Sequence, residues 1–136
     1  MSTEFIWQVR VYYEDTDAGG VVFYANYLRF MERARTEWLR SVGFEHEQLN
    51  NDHDLIFAVK NVTIDYKKPG RLDDLLTITS TILKSRGASI TFQQTIKNEK
   101  DELLTQAEIK VACLNASTLK ASAMPEELLS ELNKGT

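Results

Sequence analysis

The sequence predicts an α+β domain in which a five-stranded antiparallel sheet carries one long helix along its face. Three observations predict it. Only one long stretch, from about residue 24 to 42, repeats its apolar residues at three- and four-residue steps. Five other stretches alternate apolar and polar residues with a period of two. The last four of these follow one another through turn or polar segments, as the strands of an antiparallel sheet do.

The first strand lies before Glu14, where Val9, Val11 and Tyr13 alternate with Gln8, Arg10 and Tyr12. Asp15-Thr16-Asp17-Ala18-Gly19-Gly20 then forms a turn, its two glycines permitting close backbone approaches. In the long helix Tyr27, Leu28, Met31, Ala34, Trp38 and Val42 form the apolar stripe, and Asn26, Arg29, Glu32, Arg33, Thr36 and Arg40 fill the opposite face. Gly43 closes this helix, with Phe44 packing back on its last turn.

The other strands are Leu55 to Lys67, Leu75 to Leu83, Ala88 to Lys97 and Leu103 to Leu114. Their inward sets are Val62, Ile64 and Tyr66; Leu76, Ile78 and Ile82; Ile90, Phe92 and Ile96; and Ala107, Ile109, Val111 and Cys113. In the second strand the apolar phase slips, since Phe57 and Val59 are odd-numbered and Val62 and Ile64 even. One extra residue near Lys60, a β-bulge, restores the pattern. Pro69-Gly70, Lys84-Ser85-Arg86-Gly87 and Asn98-Glu99-Lys100-Asp101 are turns, and a short last helix runs from about Pro125 to Leu132. One helix leaves an edge or face of the sheet uncovered, which predicts a homo-oligomer.

A chain of 136 residues fits a single domain, 1–136. Its 43% hydrophobic and 26% charged residues place it among folded proteins rather than disordered ones. The net charge of −4 argues against a dedicated nucleic-acid binder. Cys113 is the sole cysteine, so an intrachain disulfide and a cysteine-based zinc site are excluded, which fits a reducing compartment. The N-terminus shows no secretory signal, and no window approaches the roughly 20 apolar residues that span a bilayer. A cytoplasmic location without membrane insertion is expected.

Glu14, Asp15 and Asp17 precede the glycine pair and the start of the long helix. Helix capping and turn formation account for most acidic residues in such places. Here, however, Val21-Val22-Phe23-Tyr24 follows, an apolar run where a capping turn is ordinarily polar. A carboxylate beside apolar groups loses hydration, becomes more basic and serves as general base or nucleophile. Free N–H groups at a helix start polarise a carbonyl and hold an oxyanion. Together these parts suit acyl transfer.

Metal binding is the rival reading of the segment. Asp15-Thr16-Asp17 opens like a calcium loop, but Gly19 and Asn26 stand where that loop needs its later ligands. His46 and His53 show no zinc spacing and are expected at the surface. No serine elbow, phosphate loop or dinucleotide fingerprint is present. Among the basic residues, Arg86 beside Gly87 is the candidate for a phosphorylated ligand.

The string Val9-Arg10-Val11-Tyr12-Tyr13-Glu14-Asp15-Thr16-Asp17-Ala18-Gly19-Gly20-Val21-Val22, with Tyr24-Ala25-Asn26-Tyr27 and Glu32-Arg33-Ala34-Arg35, closely resembles bacterial acyl-CoA thioesterases related to 4-hydroxybenzoyl-CoA thioesterase. The likeness is strongest to the branch encoded beside the Tol-Pal system, and extends through Tyr66 to Asp74 and Ser85-Arg86-Gly87. It implies a hotdog fold, in which the sheet wraps a central helix, and dimers that commonly pair into tetramers with active sites at subunit interfaces.

The same resemblance implies hydrolysis of acyl-CoA to a carboxylic acid and coenzyme A, without metal or other cofactor. Asp17 matches the catalytic carboxylate, and Gly19 and Gly20 the glycines after it. The backbone N–H groups of Tyr24 and Ala25 match the carbonyl-binding site, and Arg86, with Ser85 and Gly87, a position near the coenzyme A phosphates. Many members of the Tol-Pal-associated branch carry histidine where this chain has Tyr24, so a mechanism drawing on that histidine is closed to it. A second reading, from another class, is a binding protein that contacts acyl carrier protein or the membrane-lipid machinery.

Overall fold

The computed structural model describes residues 3–134. In chain order the elements are β1 (Phe5–Arg10), α1 (Asn26–Ser41), α2 (His46–His53), β2 (Leu55–Tyr66), β3 (Leu75–Arg86), β4 (Ser89–Lys97), β5 (Leu103–Asn115) and α3 (Glu126–Leu132), with a 3₁₀ turn at Tyr13–Asp15. All five strands join one antiparallel sheet in the order β1-β3-β4-β5-β2. Its two edges are therefore β1 and β2.

The core forms where the alternating strand residues meet α1. Leu76, Ile78, Ile90, Phe92, Ile96, Ala107, Ile109, Val111 and Cys113 are buried as their alternation predicts. From α1 come Tyr27, Phe30, Met31, Ala34, Trp38 and Leu39. A fully buried side chain of the size of Phe30 or Met31 contributes roughly 1.5–3 kcal/mol. The helix ends as expected, with Gly43 at φ +94° and the Phe44 N–H donating to the Leu39 carbonyl at 2.9 Å.

Several expectations change. The long helix is 16 residues, and besides the expected short last helix it has a second companion, because His46–His53, read as a polar stretch, forms α2 around the buried Leu49. One apolar anchor in eight residues leaves too little periodicity to reveal a helix. The first strand ends at Arg10, and the residues from Tyr13 turn into the 3₁₀ segment. Asn26, placed on the polar face of α1, is 5% exposed and bonded to Asp15. Lys84, Ser85 and Arg86 prolong β3 instead of forming the turn, with a register shift between Ile82 and Lys84.

The bulge in β2 is present, as a register shift between Val59 and Asn61. It turns the apolar residues of both halves of β2 toward the helix side of the sheet. Val62 and Tyr66 nevertheless stay exposed at the sheet edge, so the inward face expected of this strand reaches the core only in part.

Candidate active site

Two residues of the acidic segment divide its work. Asp15 is 6% exposed and fully engaged, its Oδ2 accepting from the Tyr12 N–H and its Oδ1 from Asn26 Nδ2, both at 2.8 Å. It ties the 3₁₀ turn to the first residue of α1. Asp17, two residues on, lies exposed in a small hairpin loop. Thr16 pairs with Val22, the Asp17 N–H donates to the Val21 carbonyl at 2.9 Å, and the Gly20 N–H donates back to the Asp17 carbonyl at 3.0 Å.

The Asp17 side chain has one hydrogen bond among the described residues, from the Gly19 N–H to Oδ1 at 2.8 Å. A Cβ on residue 19 would stand 3.3 Å from that oxygen, so glycine keeps the carboxylate uncrowded. Gly20 holds φ +77°, the left-handed turn that lets the hairpin reverse. The expected loss of hydration at Asp17 is not found within one chain. The desolvated carboxylate there is Asp15.

The hairpin is clamped from its far side by the segment after Pro69. Val21 pairs with Arg71, the Val22 N–H donates to the Gly70 carbonyl at 2.8 Å, and the Gly70 N–H donates to the Tyr27 hydroxyl at 2.9 Å. Burial pushes the Tyr27 hydroxyl pKa above the ordinary tyrosine value, so it stays a neutral brace. Beside it lies a run of rings, Phe23 on Tyr24 at 5.0 Å, Tyr24 on Tyr66 at 6.1 Å and Tyr66 on Tyr27 at 5.7 Å. Phe23, Tyr24 and Tyr66 remain exposed.

The start of α1 carries no side-chain cap. The Phe23 N–H donates to the Asp15 carbonyl and the Asn26 N–H to the Phe23 carbonyl, but among the described residues the N–H groups of Tyr24 and Ala25 donate to nothing. Two adjacent unpaired donors at the positive end of a 16-residue helix suit an oxygen that gains negative charge. Asp17, Gly19, Gly20, Tyr24 and Ala25 thus gather at one corner of the fold.

Ser85, Arg86 and Gly87 do not join them. Leu75, at the Asp17 end of β3, pairs with Arg10, whereas Arg86 closes the β3–β4 hairpin against Ser89. The eleven residue-to-residue steps from Leu75 to Arg86, at about 3.3 Å each, put roughly 36 Å between the two ends. In its own chain Arg86 lies at the opposite end of the sheet from Asp17.

At that opposite end the structure holds a cavity of about 550 Å³ under the C-terminal half of α1, walled by α2 and by residues of β2, β4 and β5. Arg35 lines it, a residue of the Glu32-Arg33-Ala34-Arg35 string to which the sequence assigns no role. The apolar spacing of α1 gives no hint of it, because an arginine between stripe and polar face reads as a solvated residue. His46 lies at its rim and His53 at the surface, as expected.

Known proteins share this sequence and architecture. The model of the Thioesterase superfamily matches residues 19–105. The acyl-CoA thioester hydrolase YbgC of Escherichia coli O6:H1 is 44% identical, with 98% of each chain covered. The acyl-CoA thioesterase YbgC of Haemophilus influenzae is 45% identical over 91% of this chain and 90% of its own. The crystal structure of a probable thioesterase from Bartonella henselae superposes with a TM-score of 0.85 at 35% identity, covering 90% of this chain and all of that one. A match over most of the chain, joined to identities of this size across nearly its whole length, makes the chain a member of the thioesterase superfamily, with the hotdog arrangement of sheet and helices.

Proposed function

We propose that this chain, as one hotdog domain with α1 as its central helix, hydrolyses acyl-CoA thioesters to a carboxylic acid and free coenzyme A. The observation that carries the proposal is the pair of unengaged N–H groups at Tyr24 and Ala25, at the same corner as the uncrowded carboxylate of Asp17. The names of the relatives from Escherichia coli and Haemophilus influenzae support the substrate class.

In the proposed reaction the thioester oxygen sits on the two N–H groups, which strengthen their hold as it becomes an oxyanion. Asp17 then acts in one of two ways. As general base it takes a proton from a water that adds to the carbonyl carbon. As nucleophile it adds itself, giving a mixed anhydride that water later opens. In both, the C–S bond breaks, the thiolate leaves and takes up a proton, and the acyl group departs as carboxylate. Neither route calls on a metal or redox cofactor.

A homo-oligomer, a dimer or a tetramer made of two dimers, completes the site in this reading. The long edge strand β2 exposes Val59, Val62 and Tyr66, and the rings beside the corner need cover. Pairing β2 with the β2 of a second copy, antiparallel about a twofold axis, has a definite consequence. Ser89 pairs with Ala112 and Ala112 with Ala58, so the hairpin tip and the start of β2 share one end of the sheet, while Tyr66 and the Asp17 corner share the other. The twofold therefore sets Ser85, Arg86 and Gly87 of one copy at the Asp17 corner of the other. There they serve the coenzyme A phosphates, and the water-free setting that Asp17 lacks alone is supplied by the second copy and the substrate.

The cytoplasm, where coenzyme A thioesters are made and used, is the proposed location, and acyl carrier protein is a proposed partner. Purified protein assayed for thiol release over short-chain, long-chain and aromatic acyl-CoAs tests the reading. Release well above the uncatalysed rate is expected for at least one class. Binding of acyl-CoA with no release from any class would favour a binding protein instead.

A further inference from the structure

The cavity under the C-terminal half of α1 holds an unmatched cation. Its wall includes Leu39, Ile56, Phe57, Ile90, Phe92 and Val111, so most of it is hydrocarbon and aromatic ring. Into this wall is set Arg35, only partly exposed, its guanidinium carbon 6.0 Å from the centre of the Phe92 ring. Burial lowers the pKa of this arginine to about 10.

Arg35 is held in place from below. Its Nη1 donates to Gln94 Oε1 at 2.9 Å, and the Gln94 amide nitrogen donates to the Met31 carbonyl and to Ser80 Oγ, each at 2.9 Å. Gln94 and Ser80 are completely buried. One bond to a neutral amide uses one of five donors. Among the described residues no carboxylate lies within ion-pair distance of Arg35. Glu32, the nearest acting carboxylate, accepts from Thr36 instead, and Glu32 and Glu47 stand exposed at the rim. A half-buried cation without a counter-charge is costly, and a buried site of unused donors discriminates strongly for a ligand that fills them.

We propose that this cavity is the acyl pocket and that Arg35 selects short acyl groups whose far end carries a carboxylate. The inference rests on the hydrolase reading and on β2 pairing. In that pairing the start of β2, with Phe57 and Val59, runs beside the far part of the second copy's β2, where Tyr66 stacks beside Tyr24, so the cavity lies on the side of the second copy's carbonyl site. The hydrocarbon wall takes the methylenes, and the guanidinium takes the distal carboxylate in a charge-assisted bond.

The test compares adipoyl-CoA with hexanoyl-CoA, equal in chain length and different only at the far end. The wild-type protein should show the higher kcat/KM on adipoyl-CoA, by about tenfold or more. Arg35→Met should lower the ratio of the two by at least about tenfold, chiefly through KM for adipoyl-CoA, and Arg35→Lys should restore part of it. A brace for Gln94 alone would leave the ratio unmoved, and that result, or a wild-type preference for hexanoyl-CoA, overturns the proposal. Absence of turnover on every acyl-CoA would instead overturn the hydrolase reading. A readout independent of turnover and of variants is the Arg35 Nε–H resonance of the wild-type protein titrated with adipate and with 1-hexanol. A saturating shift with adipate alone is expected, and no shift, or the same shift with both, contradicts the pocket.

Discussion

The two ends of α1 present polar groups in opposite ways. At its N-terminus the polar groups belong to the backbone, two unpaired N–H groups beside a loop carboxylate that is open to solvent. At its C-terminal half the polar group is a side chain, a braced arginine in a mostly apolar cavity. Backbone donors cannot be repositioned by a rotamer change, which suits a place where charge develops during reaction. A side chain differs between sequences without disturbing the fold, which suits recognition of the part of a substrate that does not react.

The same division appears in miniature between Asp15 and Asp17, and the largest expected effects separate them. Asp17→Asn should lower kcat by about two to four orders of magnitude, the range general acid–base groups supply. Its melting temperature should stay close to that of the wild type, since an exposed loop position is worth within about 0.5 kcal/mol. Asp15→Asn should do the reverse in stability. Its amide nitrogen would replace one of two acceptors, facing either the Tyr12 N–H or Asn26 Nδ2 with a second donor. A loss of about 2 kcal/mol, read as a lower denaturation midpoint, is expected. Equal stability losses in the two variants would erase the distinction.

A smaller effect tests the opposite end of the sheet. Arg86→Ala should raise KM for acyl-CoA by about five- to tenfold while kcat changes less than about twofold, as loss of ground-state phosphate binding does. An equal fall in kcat with KM unchanged would remove Arg86 from the coenzyme A contacts.

Much of this was legible in the sequence because period-two alternation is dense from Leu75 to Asn115; β4 and β5 lie within one residue of where it put them, and β3 starts there but runs on to Arg86. Even the bulge near Lys60 showed as a phase slip between Val59 and Val62. What stayed hidden was local or between chains. A helix with one buried residue, Leu49, leaves no period to read. The burial of Asn26 follows from its bond to Asp15, a pairing across a turn that spacing does not encode. The segment Glu14 to Asp17 leads to the corner that holds Asp17, Tyr24 and Ala25, yet the loss of hydration expected there falls on Asp15, which the single chain buries, and not on Asp17. The separation of Arg86 from that corner follows from strand register, which residue order alone does not set.

The most direct measurement is a crystal structure with an acyl-CoA analogue in which methylene replaces the thioester sulfur, leaving the carbonyl intact. The acyl oxygen should lie about 3 Å from the Tyr24 and Ala25 nitrogens, with an Asp17 oxygen about 3–3.5 Å from the carbonyl carbon or from a water poised on it. An Asp17 side chain turned to bulk solvent away from that carbon, with the acyl oxygen held elsewhere, would contradict the account.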